Sequence, residues 1–231
     1  MAISRSIVTA PPSFLDASRY LLQHVIAIKI PVSATRSTRA SVVLWTAFAV
    51  FAAVLAFLVM MSLGPRDAAE HAPSPITPTV VPDTLFVDTL TVDARNGARW
   101  VFVDLERRSV VLPPDTTGWD LAFRRFEIVT AGAAVATSVP FDALATAPDS
   151  AYVETRFAAD TSNAALKDWY RYSFTSHLLN PRPTTYVIRT SAGRYAKIRF
   201  LGYYCPRMAA GCPTFQYAYQ PDGSRALASP H

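Results

Sequence analysis

The dominant pattern along the chain is one uninterrupted apolar run. From Ser41 to Gly64 no charged residue occurs, and residues 42–63 read VVLWTAFAVFAAVLAFLVMMSL. A bilayer core of ~30 Å needs roughly 20 apolar residues at 1.5 Å rise each, so residues 41–64 are expected to form a transmembrane helix. Ala49 with Ala53, and the overlapping Ala52 with Ala56, fall at small-xxx-small spacing, and Trp45, Ala49, Ala53 and Ala56 are the residues of this span expected to meet lipid or a partner. A cleaved signal peptide carries only ~7–15 apolar residues behind a short leader, and here the leader is residues 1–40, so an uncleaved anchor is expected.

Within that leader, Ser13 and Asp16 form a helix-start signal, and Phe14, Leu21, Leu22, Val25 and Ile28 fall on one broad face before Pro31. The pattern fits an amphipathic helix over residues 14–30 lying on a membrane or partner, and equally an unstructured leader. Residues 64–83 contain five prolines, which favour an extended spacer, and His71 within it is expected to be solvated.

Beyond the spacer the pattern changes to short runs rich in Val, Phe, Tyr, Ile and Thr, separated by turn residues. Strands are expected over residues 84–93, 100–105, 110–112, 121–130, 186–190 and 195–204. Residues 163–174 are the best helical candidate, although their Trp and Tyr residues suit a strand as well. The fold class is therefore mostly β: one N-terminal transmembrane helix followed by an antiparallel β domain over residues 84–231, long enough for one core.

Composition refines this picture in two places. Charged residues make up 17% and hydrophobic residues 51%, which excludes wholesale disorder. The net charge of +5 is spread over the chain, with +4 in residues 1–40 and no Lys/Arg patch elsewhere, so nucleic acid is not an expected partner. Positive charge before the span and a slightly acidic flank after it put the N-terminus in the cytoplasm and the β domain outside, at a bacterial inner membrane.

Cys205 and Cys212 are the only cysteines, and both follow the span. In an oxidising compartment they are expected to pair, closing the loop CPRMAAGC with a chain-entropy gain of about 2.5 kcal/mol. A zinc site would need two further ligands, which the neighbouring sequence does not offer.

Catalytic chemistry finds little footing. His177 is the one interior histidine of the outer domain, no GxSxG motif accompanies it, and the carboxylates show neither an acid/base pair nor a calcium-loop spacing. A non-enzymatic protein without a metal site is expected. His177 is read either as a loop histidine donating one hydrogen bond or as a ligand-binding residue. Trp119, Asp120, Trp169 and Tyr170 are read as packing residues, and so are Tyr203, Tyr204, Phe215, Tyr217 and Tyr219, whose rings would suit a partner surface if exposed.

Several strings carry a family resemblance. WDLAFRRFEI from Trp119, WYRY from Trp169, YVIRTSAGRYAKIRFLGYY from Tyr186 and TFQYAYQPD from Thr214 resemble the HmuY-like family in order and spacing over about residues 85–224. The resemblance implies an all-β extracytoplasmic domain in a family best known for surface haem-binding proteins of Bacteroidetes-type bacteria. Such members hold haem with two axial side chains, typically His or Met. His177 falls near one such position; residues 151–167, where the other would lie, contain neither, and Met208 is the only methionine of the domain. The anchor differs too, because the family commonly uses a lipidated Cys.

Two functions follow as expectations. The first is a membrane-anchored scaffold that braces a larger integral complex of photosynthetic or respiratory type, without a cofactor. The alternative is haem, or another small hydrophobic ligand, held through His177. An exported β domain predicts no free thiol before reduction and two after it; two reactive thiols in the native protein would contradict this topology.

Overall fold

The structure, a computed structural model, describes residues 38–63, 67–75, 82–111, 118–158 and 161–228. Phe14, Leu21, Leu22 and the amphipathic helix expected over residues 14–30 lie outside them. The chain divides into two units, residues 1–54 and 55–231.

A single helix, α1 (Thr38–Ser62), spans the apolar run, and its stretch Ala40–Ser62 is long and apolar enough to cross a membrane. Trp45, Ala49, Ala53 and Ala56 are all exposed on it, and the Trp45 and Phe48 rings meet edge to face at 6.1 Å. Gly64-Pro65 follows the last turn, a pair that cannot continue a helix.

The remaining elements are β-strands: β1 (Phe86–Thr91), β2 (Val101–Asp104), β3 (Ser109–Val111), β4 (Leu121–Arg124), β5 (Glu127–Thr130), β6 (Ala133–Thr137), β7 (Val153–Glu154), β8 (Tyr170–Tyr172), β9 (Leu179–Pro181), β10 (Thr185–Arg189), β11 (Tyr195–Cys205) and β12 (Ala209–Gln220). Three sheets result, ordered β1-β12-β11-β10-β6-β7, β3-β2-β4-β5 and β8-β9. Every strand pair is antiparallel.

Alternation along the strands explains the packing. Val103, Leu121, Phe123 and Ile128 of the four-stranded sheet share one core with Leu90, Ile188, Phe200 and Phe215 of the six-stranded sheet, and the Phe123 and Phe215 rings stack at 5.4 Å. The opposite face of the larger sheet is covered at Val135 and Val187 by Leu144, Ala147 and Leu227. Lys197 points to that side, fully buried, with its ammonium donating to Leu144 O at 3.0 Å over the Phe141 ring. The stretch 121–130, expected as one strand, is a hairpin because Arg125 adopts a positive φ of 54° and turns the chain. Residues 163–174 are not helical. Asn163 Oδ1 accepts the Ala165 and Leu166 N–H groups, closing a turn that delivers the chain into β8.

The spacer is also partly docked. His71 N–H donates to Tyr204 O at 2.8 Å, and Ser74 and Thr91 exchange two bonds of 2.9 Å. The Glu70 carboxylate accepts Arg207 N–H at 3.0 Å and Met208 N–H at 2.8 Å. His71 is therefore half-buried rather than solvated, in space left open by Gly202, where a Cβ would lie 2.9 Å from its ring. The hairpin that receives this segment is closed by the Cys205–Cys212 disulfide, with Cα atoms 5.1 Å apart.

Asp120 gives the fold a pH signature. Its Oδ2 accepts Leu105 N–H at 2.9 Å in the core, and burial pushes its carboxyl up to about 7, reinforced by Asp104 and Glu106. The folded chain keeps a proton that the unfolded chain loses near the ordinary carboxylate value. Stability from this proton is complete below about pH 4 and lost as pH rises through about 7. Chemical denaturation of the wild type is expected to show a loss of about 2–4 kcal/mol across that window. Asp120→Asn, which keeps an acceptor for Leu105, should flatten the profile; an unchanged slope would contradict the assignment.

Candidate functional site

Two hairpins rise beside each other to form a groove. The β4–β5 hairpin carries Arg125 and Phe126 at its tip; the β8–β9 hairpin carries Tyr170, Tyr172 and, in its turn, His177. Between them lie Leu179, Tyr203, Tyr204 and Ala210, and together these residues bound a space of about 340 Å³.

Trp169 sets the spacing of the two hairpins. Fully buried, it packs against Phe200 at 4.6 Å and Tyr203 at 6.0 Å, and its indole N–H donates to Phe126 O at 2.7 Å across the gap. The Phe126 and Tyr170 rings then meet edge to face at 5.8 Å. On the far strand, Leu179 N–H donates to Tyr204 Oη at 2.9 Å, which ties β9 to the floor.

His177 stands at the exposed lip. Its backbone has a positive φ of 57°, in a turn closed by Ser173 N–H donating to Leu178 O at 2.8 Å. Its Nδ1 lies 2.7 Å from Tyr172 Oη. In the tautomer that donates the Nδ1 proton to Tyr172, the Nε2 lone pair is free for an electrophile, and the contact fixes the ring orientation. Phe174, 84% exposed, packs edge to face on Tyr172 beside it.

Electrostatics of the groove come from Arg125 and Tyr203. Arg125 N–H donates to Ala94 O at 3.0 Å, and its aliphatic stem fills space left by Gly97. Tyr203 Oη is buried without a hydrogen-bond partner, a state that ordinarily costs about 1–3 kcal/mol. Burial raises its phenol above the usual range, and the nearby Arg125 guanidinium pulls the other way. Across the Phe126–Tyr170 pair lies a second, larger hollow of about 520 Å³. Within it Arg124 pairs with Glu127 at 2.6 Å, and the Asn163 amide donates to Val153 O at 2.9 Å.

The expected site residues separate in space. His177 lines the groove and Met208 does not; the latter sits beside the disulfide, packed on the main core, with its N–H held by Glu70. Cys205 and Cys212 are paired and buried. Among the described residues, no group of three or more His, Cys, Asp or Glu is arranged to hold a metal ion. Arg125 and Phe126 escaped the sequence reading because they sit inside what reads as one β run. Their signal was the doubled Arg before Phe, two long cations where an alternating strand offers one outward position.

Comparison with known proteins fits this geometry. The HmuY protein family matches residues 96–217, more than half of the chain. The chain belongs to the HmuY family. Among solved structures, it resembles the apo HmuY analog of Tannerella forsythia, with a TM-score of 0.53 and 21% identity over 59% of this chain and 97% of that one. It also resembles apo PinO from Porphyromonas gingivitis, with a TM-score of 0.51 and 13% identity over 58% and 97% of the two chains. No curated protein matches the chain.

HmuY membership overturns the expectation of a scaffold for a photosynthetic or respiratory complex. The physical reason lies in the rings such a docking face would have used. Tyr203, Tyr204, Phe215, Tyr217 and Tyr219 are 0–6% exposed and hold the domain together from inside.

Trp169→Phe should lower stability by about 2 kcal/mol, through a lost indole hydrogen bond and lost volume. Denaturant midpoints would measure this; a loss within error would show that the indole does not tie the hairpins.

Proposed function

We propose that this HmuY family chain is a membrane-tethered, extracytoplasmic haem-binding protein that holds haem through His177. The observation that carries the reading is His177 at the lip of an aromatic groove, with Nδ1 engaged by Tyr172 so that Nε2 is the ring nitrogen left for a ligand. Family membership supports the ligand class, since the best-known HmuY proteins bind haem at the cell surface.

The groove suits such a group on three counts. Its volume of about 340 Å³ lies within the range of small-molecule sites and is open at one side, as a partly exposed macrocycle requires. Phe126, Tyr170 and Tyr172 offer ring faces and edges for stacking. His177 offers an imidazole, the commonest nitrogen ligand of haem iron. When bound, the iron supplies the Lewis-acidic centre that takes the imidazole lone pair. The chain's own part is to keep the Nε2 lone pair exposed, to hold the Nδ1 proton on Tyr172, and to shield one macrocycle face from water. Met208 is left to packing, so His177 is the groove residue that would hold the group.

An apolar helix as tether is compatible with this role, with residues 1–40 on the cytoplasmic side and the β domain outside. The role is binding rather than turnover.

Adding ferric haemin to the full-length protein in detergent should produce a red-shifted Soret band relative to empty micelles. His177→Ala should remove the shift. Tyr172→Phe should weaken binding by about tenfold to a hundredfold, the usual scale for losing the partner that orients a ligating histidine. A wild type without spectral change, or a His177→Ala variant that keeps it, would falsify the reading.

A further inference from the structure

The two arginines at the β4–β5 tip differ in their partners. Arg124 is saturated: its guanidinium pairs with Glu127 at 2.6 Å and lies 4.6 Å from the centre of the Trp100 ring. Arg125 has no carboxylate within 4.0 Å among the described residues, although its neighbours Arg95, Arg107, Arg108 and Arg124 all do. It is nevertheless held in place. Its backbone N–H is bonded to Ala94 O, its positive φ is fixed by the hairpin, and its stem lies 3.1 Å from where a Cβ on Gly97 would stand. Arg125 lines the groove together with His177, on the neighbouring hairpin.

Tyr203 provides the second observation. This residue is 1% exposed, lines the same groove, and has a hydroxyl with no hydrogen-bond partner. The Arg125 guanidinium lies close enough to this hydroxyl to act on it, and neither group has a carboxylate partner among the described residues. A guanidinium fork matches a carboxylate in shape, and the hydroxyl can supply one further donor.

We propose that Arg125 and Tyr203 form a carboxylate-recognising end of the groove, so that its ligand is a flat aromatic acid held at both ends. This rests on the haem-binding reading: a haem would meet His177 through its iron and Arg125 through a propionate. A neutral porphyrin or a hydrocarbon of the same size would leave the arginine unpaired.

The test compares ferric haemin with its dimethyl ester, which keeps the macrocycle and iron but removes both propionate charges. Full-length protein in detergent is titrated with each, and the His177-dependent Soret shift is followed. Wild type should bind haemin about tenfold more tightly than the ester, the scale of one charge-assisted pair. Arg125→Gln should bring that ratio close to one by weakening haemin alone, Arg125→Lys should restore part of it, and Tyr203→Phe should reduce it. Equal affinities in the wild type, or a ratio unchanged in Arg125→Gln, would overturn the carboxylate site and leave haem binding standing. If neither compound gives a His177-dependent shift, the haem reading fails and this inference fails with it.

Discussion

One buried indole holds the groove end of this domain together. Trp169 is packed into the core shared by the two larger sheets, yet its N–H reaches out to Phe126 O and its own carbonyl accepts Arg182 N–H at 2.9 Å. It thus belongs to three structures at once: the core, the β4–β5 tip and the strand beside β8. Without that bond the two hairpins would be short, two-sided and exposed, a class of element that is marginal alone in water. With it, Phe126 and Tyr170 close on each other, and Arg125 and His177 stand on opposite walls of one groove.

Buried polar groups divide into two kinds around this frame. Asp120 and Lys197 are satisfied within the fold, by Leu105 N–H and by Leu144 O, and they fix loops to the sheets. Tyr203 Oη and His71 Nε2 are buried without partners. The first lies in the groove, where a ligand can supply an acceptor. The second belongs to the docked spacer itself, where the neighbouring Glu70 and Ser74 bind the domain and offset its cost.

Much of this was legible in the residues. The apolar run announces its helix by length alone, β-rich runs mark six of the strand regions, and the two cysteines flank a loop short enough to close. The groove was not legible, for a local reason. Its residues are set by non-glycine positive φ angles at Arg125 and His177, which tertiary contacts impose and composition does not advertise. Residues 163–174 misled for a similar reason: Asn163 uses its side chain to end a turn that helical spacing would have continued. The aromatic residues Tyr203 and Tyr204 serve both as core and as groove floor, so reading them as packing was correct and incomplete.

The haem-binding proposal takes its ligand class from family membership and its attachment points from the groove's residues. The most direct test is a structure of the full-length protein loaded with ferric haemin. The account requires the macrocycle between Phe126 and Tyr172, iron on His177 Nε2, and the Trp169 bond to Phe126 intact. Haem bound elsewhere on the domain, with His177 still turned to solvent, would contradict it.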